Sequence, residues 1–133
     1  MKYYLDTNIC IYFLKGSFPN LKKKILSVNP DSISIPAIVK GELLYGSEKS
    51  KNKEDNFKKI QQFLLPFHIE DFTDNETASY AKIRNELEKK GKTLGPNDLL
   101  IASIVFSHNG TLITKNTKEF SRVKDLKIED WTI

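Results

Sequence analysis

At 133 residues the chain has room for one compact domain, residues 1–133, and none for a second. Hydrophobic residues at 39% and charged residues at 29% exclude intrinsic disorder, while a single cysteine, Cys10, excludes an internal disulfide and a multi-cysteine zinc site. Lysine plus arginine exceed aspartate plus glutamate by 21 to 17, and the net charge of +4 leans towards polyanionic partners.

Lys2-Tyr3-Tyr4-Leu5 is a β-prone run that stops at Asp6, and Thr7 or Asn8 is placed to cap a helix carrying Ile9, Ile11, Tyr12, Phe13 and Leu14 to about Gly16. A lysine-rich helix follows from Leu21 to Val28, then a turn at Asn29-Pro30-Asp31 and a second strand, Ser32 to Ile35. Pro36 suits the first turn of a third helix running to about Glu48. The polar stretch Glu48 to Lys59 reads as a loop leading into a helix with Phe57, Ile60, Phe63 and Leu64 on one face, ended by Pro66. Phe67 to Phe72 is a third strand, and a helix opened by Asp74 or Asn75 reaches Lys90 and is closed by Gly91. Gly95-Pro96-Asn97 introduces a helix from Asp98 to His108 that is apolar on nearly every side and is therefore expected to be buried. After the turn Asn109-Gly110 come a fourth strand, Thr111 to Thr114, and a short fifth, Lys127 to Trp131.

Strands separated by helices predict a three-layer α/β domain, with a central parallel sheet of four to five strands and helices on both faces. Ligands of such sheets sit outside the carboxyl ends of the strands. No apolar run approaches the ~20 residues of a membrane span, and the N-terminus lacks the pattern of a signal peptide, so a cytoplasmic protein without membrane contact is expected.

Three carboxylates draw attention. Asp6 follows a buried strand at the functional edge, where it either caps the next helix or takes part in a site. Glu42 has Ile38, Val39, Tyr45 and Gly46 at helical spacing, so it lies on the apolar face of its helix. Asp98 has Ile101, Ala102 and Val105 at helical spacing, and caps its turn or faces the same edge. Glu86, among Lys82, Lys89 and Lys90, reads instead as a solvated member of an ion-pair ladder. Buried carboxylates without partners cost several kcal/mol each, and no arginine is near in sequence to Glu42 or Asp98. If the three acids converge, a divalent cation must neutralise them, and oxygen ligands select Mg2+ or Mn2+. Asn116, beyond the fourth strand, can add an amide oxygen; Glu119 either adds a charge there or forms a surface salt bridge.

Asp6-Thr7-Asn8-Ile9, Pro36 to Leu43 around Glu42, Gly95-Pro96-Asn97-Asp98 and Thr114 to Phe120, in this order over the full chain, resemble PIN-domain ribonucleases, in particular the VapC toxins of prokaryotic toxin–antitoxin pairs. The resemblance implies a Mg2+- or Mn2+-dependent endoribonuclease with Asp6, Glu42 and Asp98 as catalytic residues and metal ligands. Asn116 stands where many PIN domains carry aspartate, which puts a second metal site in question unless Glu119 supplies it. Metal-activated water would leave a 5′-phosphate and a 3′-hydroxyl, with no need for a histidine pair; His68 and His108 read as structural or solvated. The resemblance further implies an RNA substrate, with tRNA favoured, a small VapB-type antitoxin and a homodimer. Lysine-rich segments Lys49 to Lys59 and Lys82 to Lys92 either flank the site or serve solubility. Apolar residues from Ile9 to Leu14, with Leu43, Leu44, Tyr45, Phe57 and Phe63, form core or partner surface, and Cys10 reads as a small buried hydrophobe. Two rivals stand beside this reading: a dehalogenase-like phosphatase, which requires an aspartate where this chain has Asn8, and a PIN-fold module that binds RNA or protein without cutting.

Overall fold

The aromatic and aliphatic run Tyr3–Leu5 forms β1, at the centre of a five-stranded sheet in a computed structural model that describes residues 1–133. Strands β2 (Ile33–Pro36), β3 (His68–Glu70), β4 (Thr111–Ile113) and β5 (Lys127–Glu129) complete it in the order β3-β2-β1-β4-β5, and every pairing is parallel. Seven helices connect the strands: α1 (Thr7–Lys15), α2 (Pro19–Ser27), α3 (Ala37–Lys49), α4 (Lys53–Leu64), α5 (Thr77–Lys89), α6 (Pro96–Ser107) and α7 (Thr117–Phe120). All residues of β2 and β4 are buried, so helices must cover both faces of the sheet, as all-parallel sheets require.

Helix α6 carries six buried residues in its 12, which accounts for its lack of a polar stripe. Its Ile101, Ala102, Ile104 and Val105 join Tyr4, Leu5, Ile33, Ile35, Leu112 and Ile113 in one continuous core. Asn109, in left-handed backbone at φ 53°, turns the chain from α6 towards β4.

Several local expectations shift. Asp6, and not Thr7 or Asn8, caps α1: its backbone is extended (φ −80°, ψ 175°) and its carboxylate accepts the Ile9 N–H at 2.9 Å. Pro36 completes β2 and precedes α3, since its missing N–H costs nothing at the last ladder position. The polar stretch after Glu48 is mostly helix. Lys53 opens α4, Glu54 and Asp55 complement the positive end of that helix, and Ile60, Phe63 and Leu64 anchor its inner face. At the sheet edge β3 pairs only with β2 and is cut to three residues, after which Thr73 and Glu76 form a reciprocal cap. The one-turn helix α7 was not expected.

Chain connections run from β1 outwards to β2 and β3, then cross to β4 and β5 on the other side. The reversal falls between β1 and β4, and the crevice at their carboxyl ends is where such a sheet binds ligands. Asp6 follows β1 there, and Thr114 follows β4.

Candidate active site

Register sets the first contact. Leu5 pairs with Ile113, and the Asp6 N–H donates to the Ile113 carbonyl at 3.1 Å, so Asp6 and Thr114 emerge side by side. The Asp6 carboxylate accepts the Ile9 N–H at 2.9 Å and lies beside Thr114, and only 6% of the residue is exposed. Burial pushes its carboxyl up to about 6; the neighbouring Thr114 hydroxyl and the Ile9 N–H oppose the shift, and the negative charges of Asp98 and Glu42 add to it.

Asp98, in the first turn of α6, is half-buried. Its carboxyl is also raised, first by burial and then by the charges of Glu42 and Glu119. Glu42, half-buried within α3, accepts the Thr7 hydroxyl at 2.6 Å. Asn116 sits at the N-terminus of α7, with its backbone N–H on the Thr114 hydroxyl oxygen at 2.9 Å and its side-chain amide on Glu119 at 2.9 Å. Since an ionised carboxylate only accepts, the Asn116 NH2 must face Glu119, and its carbonyl oxygen is left for another partner.

Four acids from four separate segments therefore act on one another electrostatically: Asp6 with Asp98 and Glu42, and Asp98 with Glu42 and Glu119. None of the chain's ion pairs reaches any of them. An all-oxygen, anionic set with no cationic side chain paired to it fits a hard divalent ion. No three His, Cys, Asp or Glu side chains converge tightly enough to cage an ion unaided. Mg2+ tolerates such a site, because it is commonly held by one or two carboxylates together with water and substrate phosphate.

Beside Glu42 opens a groove of about 920 Å³, lined by Ile11, Phe13, Leu14, Leu43, Ile60 and Phe63 with Lys15 and Lys59. Of the two lysine-rich segments noted in the sequence, Lys59 is the lysine that lines this groove.

Other residues lie elsewhere. His108 bonds Glu76 at 3.1 Å and lies 3.7 Å from Glu70, which His68 approaches to 3.5 Å. The histidines thus serve a separate polar cluster joining β3, α6 and the turn before α5. Cys10 is wholly buried, and burial pushes its thiol well above the ordinary range, so it is an inert core residue. Glu86 is half-buried and unpaired; the i, i+4 pair of α5 is Arg84 with Glu88. Sequence reasoning passed over the hydroxyls of Thr7 and Thr114, although each stands at the carboxyl end of a strand, next to residues that were singled out.

The PIN-domain model matches residues 3–126. The chain is 45% identical to Ribonuclease VapC2 of Rickettsia felis across 98% of both proteins, and 34% identical to the tRNA(fMet)-specific endonuclease VapC of Shigella flexneri across 99% of both. It superposes with a TM-score of 0.93, at 42% identity, on a chain of the VapBC2 complex of Rickettsia felis bound to a promoter DNA fragment, covering 98% of this chain and 99% of that one. With its five parallel strands, the PIN-domain match over residues 3–126 and this identity to VapC2, the chain belongs to the PIN-domain family and, within it, to the VapC ribonucleases.

Proposed function

We propose that this protein is a Mg2+- or Mn2+-dependent endoribonuclease toxin acting in the cytoplasm, with Asp6, Glu42 and Asp98 as metal ligands and Glu119 and Asn116 at the margin of the same site. The observation that carries this reading is the buried Asp6 carboxylate, faced by Asp98 and Glu42 with no cationic side chain to offset them. A bound divalent ion supplies Lewis acidity at a phosphate oxygen and lowers the pKa of water. The chain's own residues orient. The Ile9 N–H holds Asp6, Thr7 holds one oxygen of Glu42, and Asn116 holds one oxygen of Glu119. Burial of Asp6 excludes water from one side of its carboxylate and strengthens its pull on a cation.

The substrate is a structured RNA, and tRNA is the favoured class, in keeping with the name of the Shigella flexneri relative. A small VapB-type antitoxin neutralises the enzyme; the apolar groove beside Glu42 suits a short amphipathic segment of such a partner. A homodimer is proposed as well, supported by the large apolar side chains of Leu26, Tyr45 and Leu65 left exposed.

Incubating the purified protein with cellular RNA and sequencing the 5′ ends of the fragments tests the reading. Cleavage in Mg2+ or Mn2+, lost in EDTA and in Asp6→Asn or Asp98→Asn, is the expected result. Binding of RNA without cleavage under either metal would support the non-catalytic module instead.

A further inference from the structure

We propose that Lys115, Phe18 and Tyr12 form a nucleotide subsite beside the acidic cluster, in which Lys115 leaves the face of Phe18 to bind a phosphate and the uncovered ring stacks a base of single-stranded RNA. The proposal rests on the endoribonuclease reading and identifies how that site holds its substrate.

The acidic cluster poses the problem. Asp6, Glu42, Asp98 and Glu119 are without cationic partners, and an RNA backbone approaching them is itself a polyanion. Positive charge near the cluster is required. Lys115 directly follows Thr114, which lies beside Asp6, and directly precedes Asn116, whose amide donates to Glu119. It is exposed and belongs to no ion pair. Its ammonium lies 5.4 Å from the centroid of the Phe18 ring. In water such a contact is weak, and a charge-assisted bond to phosphate outweighs it.

Phe18 is prepared for the second half of the exchange. It links α1 to α2 in extended backbone (φ −130°, ψ 109°), directly before Pro19, and is half-buried against the core. Tyr12 meets it edge-on, with ring centroids 5.0 Å apart. A half-buried ring braced by a second aromatic and lying under an exposed, unpaired lysine is a stacking platform of the kind that binds unpaired bases. Bases within a duplex are already stacked, so the subsite favours loops and single strands.

Three other cation–aromatic contacts lack this combination. Arg84 near Tyr80 is engaged by Glu88, Trp131 beneath Lys24 is buried with its indole N–H on Glu129, and Tyr45 beneath Lys49 has no second ring against it.

The test measures binding without cleavage. Full-length protein carrying Asp6→Asn, in EDTA, is titrated against a short labelled single-stranded RNA and against its duplex by fluorescence anisotropy at several salt concentrations. Lys115→Ala is expected to reduce the slope of log affinity against log salt by about 0.7, the loss of one phosphate contact on a single strand. Phe18→Leu is expected to weaken single-strand binding by roughly fivefold or more with the slope unchanged, and Phe18→Trp to retain it. Duplex affinity should be unaffected by Phe18→Leu. Unchanged single-strand affinity and slope in both Lys115→Ala and Phe18→Leu overturns the subsite, as does equal loss on duplex and single strand, or no single-strand binding by the parent. Lys115 is exposed, so Lys115→Ala decides the matter if Phe18→Leu does not fold. RNA cleavage by the wild-type protein is scored separately: cleavage with unchanged variant binding removes the subsite alone, whereas the expected binding losses without any cleavage remove the nuclease reading alone.

Discussion

The Thr7 hydroxyl donates to Glu42 Oε1 across 2.6 Å, tying the first residue of α1 to the middle of α3. One oxygen of Glu42 is thereby fixed, and the other makes no hydrogen bond to the chain.

Removing that hydroxyl frees Glu42 to rotate. Thr7→Val is expected to lower cleavage activity or divalent-ion affinity by about 10–100-fold, as losses of residues that orient a ligand do. Thr7→Ser keeps the donor and should stay near wild type. Activity titrated against Mg2+ and Mn2+ concentration measures both; equal activity of Thr7→Val and wild type at limiting metal would remove the positioning role.

Asp6 couples folding to pH in the absence of metal. Its folded carboxyl is raised to about 6 from an ordinary 3.8. Its stabilising contribution is therefore fully present below the lower value and is lost as pH rises through the upper one. The difference corresponds to about 3 kcal/mol. Chemical denaturation in EDTA across that window should show wild type losing stability relative to Asp6→Asn, which keeps the helix cap because asparagine caps as well as aspartate. Adding Mg2+ or Mn2+ at neutral pH should return the lost stability to wild type and not to Asp6→Asn.

Asn116→Asp sets a second negative charge at the position now 2.9 Å from Glu119. The protein is expected to lose about 1–3 kcal/mol of stability in EDTA, the cost of breaking a half-buried hydrogen bond and opposing two like charges. Mn2+ should return more stability to this variant than to wild type. Calorimetric melting with and without metal reads the effect, and a variant as stable as wild type in EDTA would contradict it.

Far from the site, Glu76 is 1% exposed and bonds Thr73 and His108. Burial pushes its carboxyl up, but the hydrogen bonds from Thr73 and His108 outweigh burial and leave it lowered. Its contribution is present above the ordinary carboxylate range and is lost as pH falls through the lowered folded value. His108→Ala should destabilise the protein by about 1–3 kcal/mol, with most of the loss at pH values where Glu76 is ionised. Equal stability of variant and wild type near neutral pH would show the contact to be idle.

Much of the fold was legible because its signals are local. The apolar runs around Tyr4, Ile35 and Leu112, punctuated by Asn29-Pro30, Pro66 and Asn109-Gly110, mark strands and turns without reference to anything distant. The polar stretch after Glu48 misled because a helix held by only three buried residues looks like a loop when judged on composition. Helix α7 was missed because four residues are too few to show a period.

By itself the sequence determined that strands alternate with helices, and that Asp6, Glu42 and Asp98 occupy positions where a solvated carboxylate would be out of place. Tertiary structure alone decided that these acids act on one another electrostatically, that Thr7 is the hydroxyl partner of Glu42, that Asn116 turns its amide towards Glu119, and that both histidines belong to a different cluster. Local pattern reports which face of an element is apolar, whereas the meeting of residues 35 or 92 positions apart depends on strand order and register. Those are settled only when the whole core packs, because burying every apolar face at once is a property of the chain and not of any segment.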